Sequence, residues 1–166
     1  MRLLLLFTVT SFLAFASATS PVVAHDDHSH DGALEVHDAW VRPTNGRKTS
    51  AGAYFMLHNT GEDAVAIIGA TSNVSTITDL HETKEVDGVM RMRPAGDLVI
   101  APGAHLAFEP GGLHVMLIDL ERPLAAGETI TVTLDLLNHD PVEITVPVQA
   151  TAPEGHHSHS ADHGHH

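Results

Sequence analysis

In the stretch GGLHVMLIDL, residues 111–120, a strand would set His114 and Met116 on one face and Leu113, Val115 and Leu117 on the other, because side chains alternate along a strand. An imidazole and a thioether side by side in so apolar a run make a pair of metal donors. Upstream stand His81 in DLHETK and Met92 in VMRMRP, and together the residues are spaced His-x10-Met-x21-His-x-Met. A turn at Asp87-Gly88 would fold the strand carrying His81 back beside the one carrying Met92. GGLHVML joins them if the sheet closes on that side. Thioether sulfur is a soft donor with no proton to lose, neutral imidazole is borderline, and the combination suits Cu(I). Zinc sites draw mainly on Cys, His and carboxylate, and a blue-copper site needs a Cys thiolate. The chain has no cysteine, so these donors point to storage or transfer of Cu(I) rather than to electron transfer.

Every candidate also has a plain structural reading. Methionine commonly fills gaps in a core, and Met56 reads that way. Met90 shares a face with Met92 two residues away, so either one could be the ligand. His58, His105 and His139 fall at strand ends or turns and read as solvated, and His37 is uncommitted. Trp40, Tyr54 and Phe55 read as packing.

The elements that must position these donors are short. From Glu35 to Ala150 the chain is apolar segments punctuated by turn signals such as Asn59-Thr60-Gly61, Asp87-Gly88 and Pro110-Gly111-Gly112, with no sustained helical period. Strands are expected near 35–42, 51–58, 64–70, 76–82, 88–93, 97–100, 104–108, 113–119, 129–137 and 142–148. In TITVTLDLL the residues Ile130, Val132, Leu134 and Leu136 alternate with Thr131, Thr133 and Asp135, and PVEITVPV follows a turn as its hairpin partner would. Strands at this spacing predict an all-β, antiparallel sandwich or barrel. Residues 35–150 have the size of one small domain.

The ends are different material. Residues 1–24 combine Arg2, an apolar run from Leu3 to about Ala16 and small residues before His25, the pattern of a secretory signal peptide cleaved after Ala24 or Ala18. The run is shorter than the roughly 20 residues of a spanning helix, so no membrane span is expected after its removal. No Cys follows for lipid attachment. Export to a bacterial periplasm is the expected destination. Loss of residues 1–24 removes Arg2 and no acid, taking the formal charge from −13 to −14. So acidic a chain argues against nucleic acid and for cations or basic partner surfaces.

Residues 25–34 carry His25, His28 and His30, and residues 151–166 carry His156, His157, His159, His163, His165 and His166. Neither segment has the apolar content to pack, so both are expected to be disordered. Imidazoles on a flexible chain assemble nitrogen-rich sites for Cu(II) or Zn(II) that weaken as they protonate near pH 6–7. The C-terminal histidines are therefore a candidate Cu(II) site. A monomer is expected, with a dimer only where metal bridges two tails.

Residues 35–150 resemble the PCu(A)C periplasmic copper chaperones, whose motif is His-(Met)-x10-Met-x21-His-x-Met. DAWVRPT, SAGAYFMLHNTG, LHET, DGVMRMRP and PGGLHVMLIDL stand where that family has similar text. One departure is Glu82, which follows His81 where many members have Met. The resemblance implies a cupredoxin-like, Greek-key β-barrel binding Cu(I) through His81, Met92, His114 and Met116, with Met92 rather than Met90 as ligand. It also implies delivery of copper to the CuA centre of cytochrome c oxidase subunit II, to an assembly factor, or to another copper protein, without catalysis. Two other functions fit parts of the sequence. One is a copper-resistance or Cu/Zn-buffering protein acting mainly through its tails. The other is a copper oxidase built on an amino-terminal His25 chelate, for which an open coordination position would be needed. No G-x-S-x-G or H-E-x-x-H motif adds a catalytic signal.

Overall fold

The alternation in TITVTLDL resolves into a strand whose Ile130, Val132 and Leu134 are buried while Thr131 and Thr133 are only partly covered, in a computed structural model that describes residues 34–47 and 49–153. The leader, the N-terminal histidines and the C-terminal histidines lie outside the described residues. Ten strands follow in chain order: β1 (Leu34–Val41), β2 (Ala51–Asn59), β3 (Val65–Ser72), β4 (Ser75–Val86), β5 (Val89–Pro94), β6 (Leu98–Ile100), β7 (His105–Phe108), β8 (Leu113–Leu120), β9 (Thr129–Leu136) and β10 (Val142–Pro147). No helix occurs among the described residues. Each expected strand is present. The largest difference is β4, which runs on past residue 82 through Thr83-Lys84-Glu85-Val86 to meet a two-residue turn. Asp87 and Gly88 both have positive φ, 54° and 76°, the backbone of a type I′ hairpin turn, and Val86 pairs with Val89 across it.

The strands form two sheets. One has the order β1-β2-β7-β8-β4-β5, with β2 also pairing β8; the other has the order β10-β9-β3-β6. Their inner faces supply the core: Ala53, Phe55 and Leu57 of β2 and Val115 and Leu117 of β8 meet Ile67 of β3, Ile130, Val132 and Leu134 of β9, and Ile144 and Val146 of β10. Phe55 and Phe108 place their ring centroids 4.5 Å apart, an aromatic contact that adds about 0.5–1.5 kcal/mol to the area they bury. The Asn59-Thr60-Gly61 turn is tied into this core. The Asn59 side chain is fully buried, donates to the carbonyls of Asp63 (2.8 Å) and Ile100 (2.9 Å), and accepts from the Gly61 amide (3.0 Å).

Candidate metal centre

With the inner face filled, alternation sends the other half of each strand to the outer face of the six-stranded sheet. On β4, Leu80 is buried inward and His81 stands outward between Asp79 and Thr83. On β8, Val115 and Leu117 go inward and His114 and Met116 outward. The β4–β8 register sets His81 opposite His114 and Asp79 opposite Met116, which makes Met116 a diagonal neighbour of His81. On the other side of β4, Met92 faces Thr83, so it is the second diagonal neighbour of His81. His81, Met92, His114 and Met116 thus share one face of three adjacent strands. Met90 shares that face too but pairs with Glu85, two residues farther from His81 along the hairpin.

The two imidazoles meet edge to face, with ring centroids 6.0 Å apart and planes at 85°. His114 is buried, and its Nδ1 lies 3.1 Å from the Gly112 carbonyl oxygen. A carbonyl only accepts, so Nδ1 is the protonated nitrogen and Nε2 carries the lone pair in the neutral ring. His81 is the reverse case. Its Nε2 lies 4.0 Å from a carboxylate oxygen of Asp79, while its Nδ1 is buried without a hydrogen-bond partner among the described residues. A buried, unsatisfied nitrogen is unfavourable by about 1–3 kcal/mol, and a soft cation is one partner that would relieve it. Met92 is exposed and Met116 half-buried, so both thioethers have room to turn.

Glu82, the departure after His81, points away from this face. It pairs instead with Lys84 at 2.6 Å and Arg93 at 2.7 Å. The hydrogen bond from Lys84 and then that from Arg93 hold its carboxyl below the usual carboxylate range. Because successive residues of a strand face opposite ways, neither Glu nor Met at this position would stand on the same side as His81.

Tyr54, which the sequence presented only as packing, borders the centre. Its ring centroid lies 6.4 Å from that of His114 and 5.0 Å from that of Trp40, and Arg42 covers Trp40 from 5.4 Å. Burial pushes the Tyr54 phenol above its ordinary value, with the Arg42 charge pulling the other way. Gly52 faces Met116, and a Cβ there would come within 2.7 Å of the Tyr54 hydroxyl, so the missing side chain is what lets the phenol lie beside the Met116 strand. The available signal was the alternation in AGAYFML: with Ala53 and Phe55 inward, Tyr54 must face outward. The same alternation puts Met56 on the outer face, half-buried, rather than in the core. Phe55 is core, and His139 is exposed in its turn, as expected.

The family described as "Putative lipoprotein LpqE-like" matches residues 34–148. A curated relative, "Putative lipoprotein Lxx21020" of Leifsonia xyli subsp. xyli (strain CTCB07), is 32% identical over 152 residues, covering 89% of this chain and 90% of its own. Among solved structures, the copper-bound PCuAC domain from PmoF2 superimposes with a TM-score of 0.58 at 22% identity, covering 72% of this chain and 95% of that one. The solution structure of Cu(I)-DR1885 from Deinococcus radiodurans superimposes with a TM-score of 0.51 at 28% identity, covering 73% and 83%. The two-sheet fold described above is therefore that of PCuAC domains.

Proposed function

The chain belongs to the LpqE-like family, and on that premise we propose that it is an exported copper carrier holding one Cu(I) ion between His81, Met92, His114 and Met116. The observation that carries the reading is the register that sets His81 opposite His114 with both methionines as diagonal neighbours of His81, together with the orphaned, buried Nδ1 of His81. Two imidazoles and two thioethers bind a soft monovalent ion without neutralising its charge. The ion would sit on an outer sheet face, where a partner offering thiolates can take it. No thiolate is available in this chain, which contains no cysteine.

The cargo is copper destined for the CuA centre of cytochrome c oxidase or another periplasmic copper protein. The C-terminal histidines, His156 to His166, would hold Cu(II) as a separate nitrogen-rich site. Transfer, rather than turnover, is the activity, because the four donors fill the coordination sphere and leave no open position for a substrate.

A Cu(I) competition titration tests this with the full chain and with residues 34–153. Each should bind one Cu(I) with the same affinity. Met92→Leu and Met116→Leu should each weaken binding by at least about tenfold, a loss that even outer-shell ligand partners produce, whereas Met90→Leu should change it little. Binding that disappears with the tails would replace this reading with a histidine-tail buffer. Equal affinity in all three methionine variants would remove the thioethers from the site.

A further inference from the structure

At the other end of the same outer face, three more strands bring a second set of donors together. Glu35 of β1 stands opposite His58 of β2, His37 follows Glu35 on the same face, and His58 in turn stands opposite His105 of β7. Nε2 of His37 lies 3.5 Å and Nδ1 of His58 lies 3.7 Å from the same Glu35 carboxylate oxygen. One ligand atom from each of the three residues falls within 4.8 Å of the others. These separations are longer than good N–H···O hydrogen bonds, which cluster near 2.9 Å. They are close to the edge of a tetrahedron drawn around an ion with nitrogen and oxygen ligands at 2.0–2.1 Å, which is about 3.3 Å.

The His58 ring is held in place. It stacks on His105 with centroids 4.1 Å apart and planes at 14°. Lone pairs of stacked imidazoles lie in parallel planes and cannot converge on one point, so His105 orients His58 and is not itself a ligand. We propose that Glu35, His37 and His58 form a second metal site, for a borderline divalent cation such as Zn(II) or Cu(II), with water completing the coordination. The donors are two nitrogens and a carboxylate oxygen, a set that suits those ions and lacks the sulfur that favours Cu(I). The strongly acidic chain adds a long-range attraction for any cation. The site stands apart from the residues assigned to Cu(I), so either can fail without the other.

The test is a titration of the full chain with zinc chloride, followed by the ring proton–carbon resonances of individual histidines. His37 and His58 should shift together and saturate at zinc concentrations at least about tenfold below those that move His139, an exposed histidine outside this cluster. Glu35→Gln, a substitution at an exposed side chain, should weaken that response at least about tenfold while leaving the Cu(I) titration unchanged. His105→Ala should weaken it as well, and His105→Phe, which preserves the stack, should restore it. The proposal is overturned if His37 and His58 respond no more readily than His139, or if their response in Glu35→Gln matches that in the native chain. An unchanged response of His37 and His58 in His105→Ala would overturn the orienting role of the stack.

Discussion

His81→Phe should make the copper-free protein more stable and at the same time abolish the benefit it draws from copper. The buried Nδ1 of His81 has no partner among the described residues, which is unfavourable by about 1–3 kcal/mol. Phenylalanine removes that nitrogen and keeps an aromatic ring for the edge-to-face contact with His114, now at 6.0 Å. It also suits a strand. The loss is the approach of His81 Nε2 to Asp79 at 4.0 Å, whose carboxylate side is largely exposed, a contribution of about 0–1 kcal/mol. The balance is a gain of about 0–3 kcal/mol, centred on about 1–2 kcal/mol, or roughly 4–8 °C in Tm at that centre for a domain of this size. Buffered Cu(I) at a thousandfold excess over Kd should stabilise the native protein by about 4 kcal/mol and the variant by far less, so copper reverses their order. Thermal unfolding followed by far-ultraviolet circular dichroism under anaerobic conditions reads both. A copper-free variant melting several degrees below the native protein would show that the imidazole makes contacts outweighing its orphaned nitrogen. Equal stabilisation of both proteins by copper would remove His81 from the ligand set.

Tyr54 is the only tyrosine, so absorbance near 295 nm follows its ionisation alone. Because burial raises its pKa above the ordinary 10.0, the folded chain should hold the phenolic proton where the unfolded chain releases it, and stability should fall as pH rises past 10. Arg42→Met, which removes the charge that favours the phenolate, should push the midpoint higher still; a native midpoint at or below 10 would contradict this. Asn59→Ala breaks the three hydrogen bonds that tie the Asn59 turn to the core and should lower stability by about 2–4 kcal/mol, read as a drop in the urea midpoint without a change in slope.

Strand positions were largely legible along the chain because alternation is local: the backbone geometry of a strand sends Ile130, Val132 and Leu134 one way and Thr131 and Thr133 the other, whatever lies opposite. The same rule put His114 and Met116 on one side and excluded Glu82 from the side of His81. The β4–β5 hairpin was legible too, since Asp-Gly is the dipeptide whose positive φ values a type I′ turn demands. The end of β4 was not. TKEV lacks an alternating apolar signal, and it becomes strand because β5 pairs with it back to the turn.

Sequence alone therefore determined which residues share a side of each strand, that no thiolate is present, and what donor chemistry the imidazoles and thioethers offer. Tertiary structure decided which strand lies beside which, and in what register. The β4–β8 pairing that sets His81 against His114 joins segments more than thirty residues apart in sequence. It depends on inward residues such as Leu80, Val115 and Leu117 being buried together in the core. The pairing of Glu35 with His58, and of His58 with His105, has the same origin: each histidine read singly as a solvated strand end, and only the closure of β1, β2 and β7 into one sheet sets Glu35 beside His58 and His105 against its ring. A one-residue slip in any of these ladders would send the donors to the opposite face, so the cost of turning apolar side chains out of the core is what holds the candidate metal ligands in register.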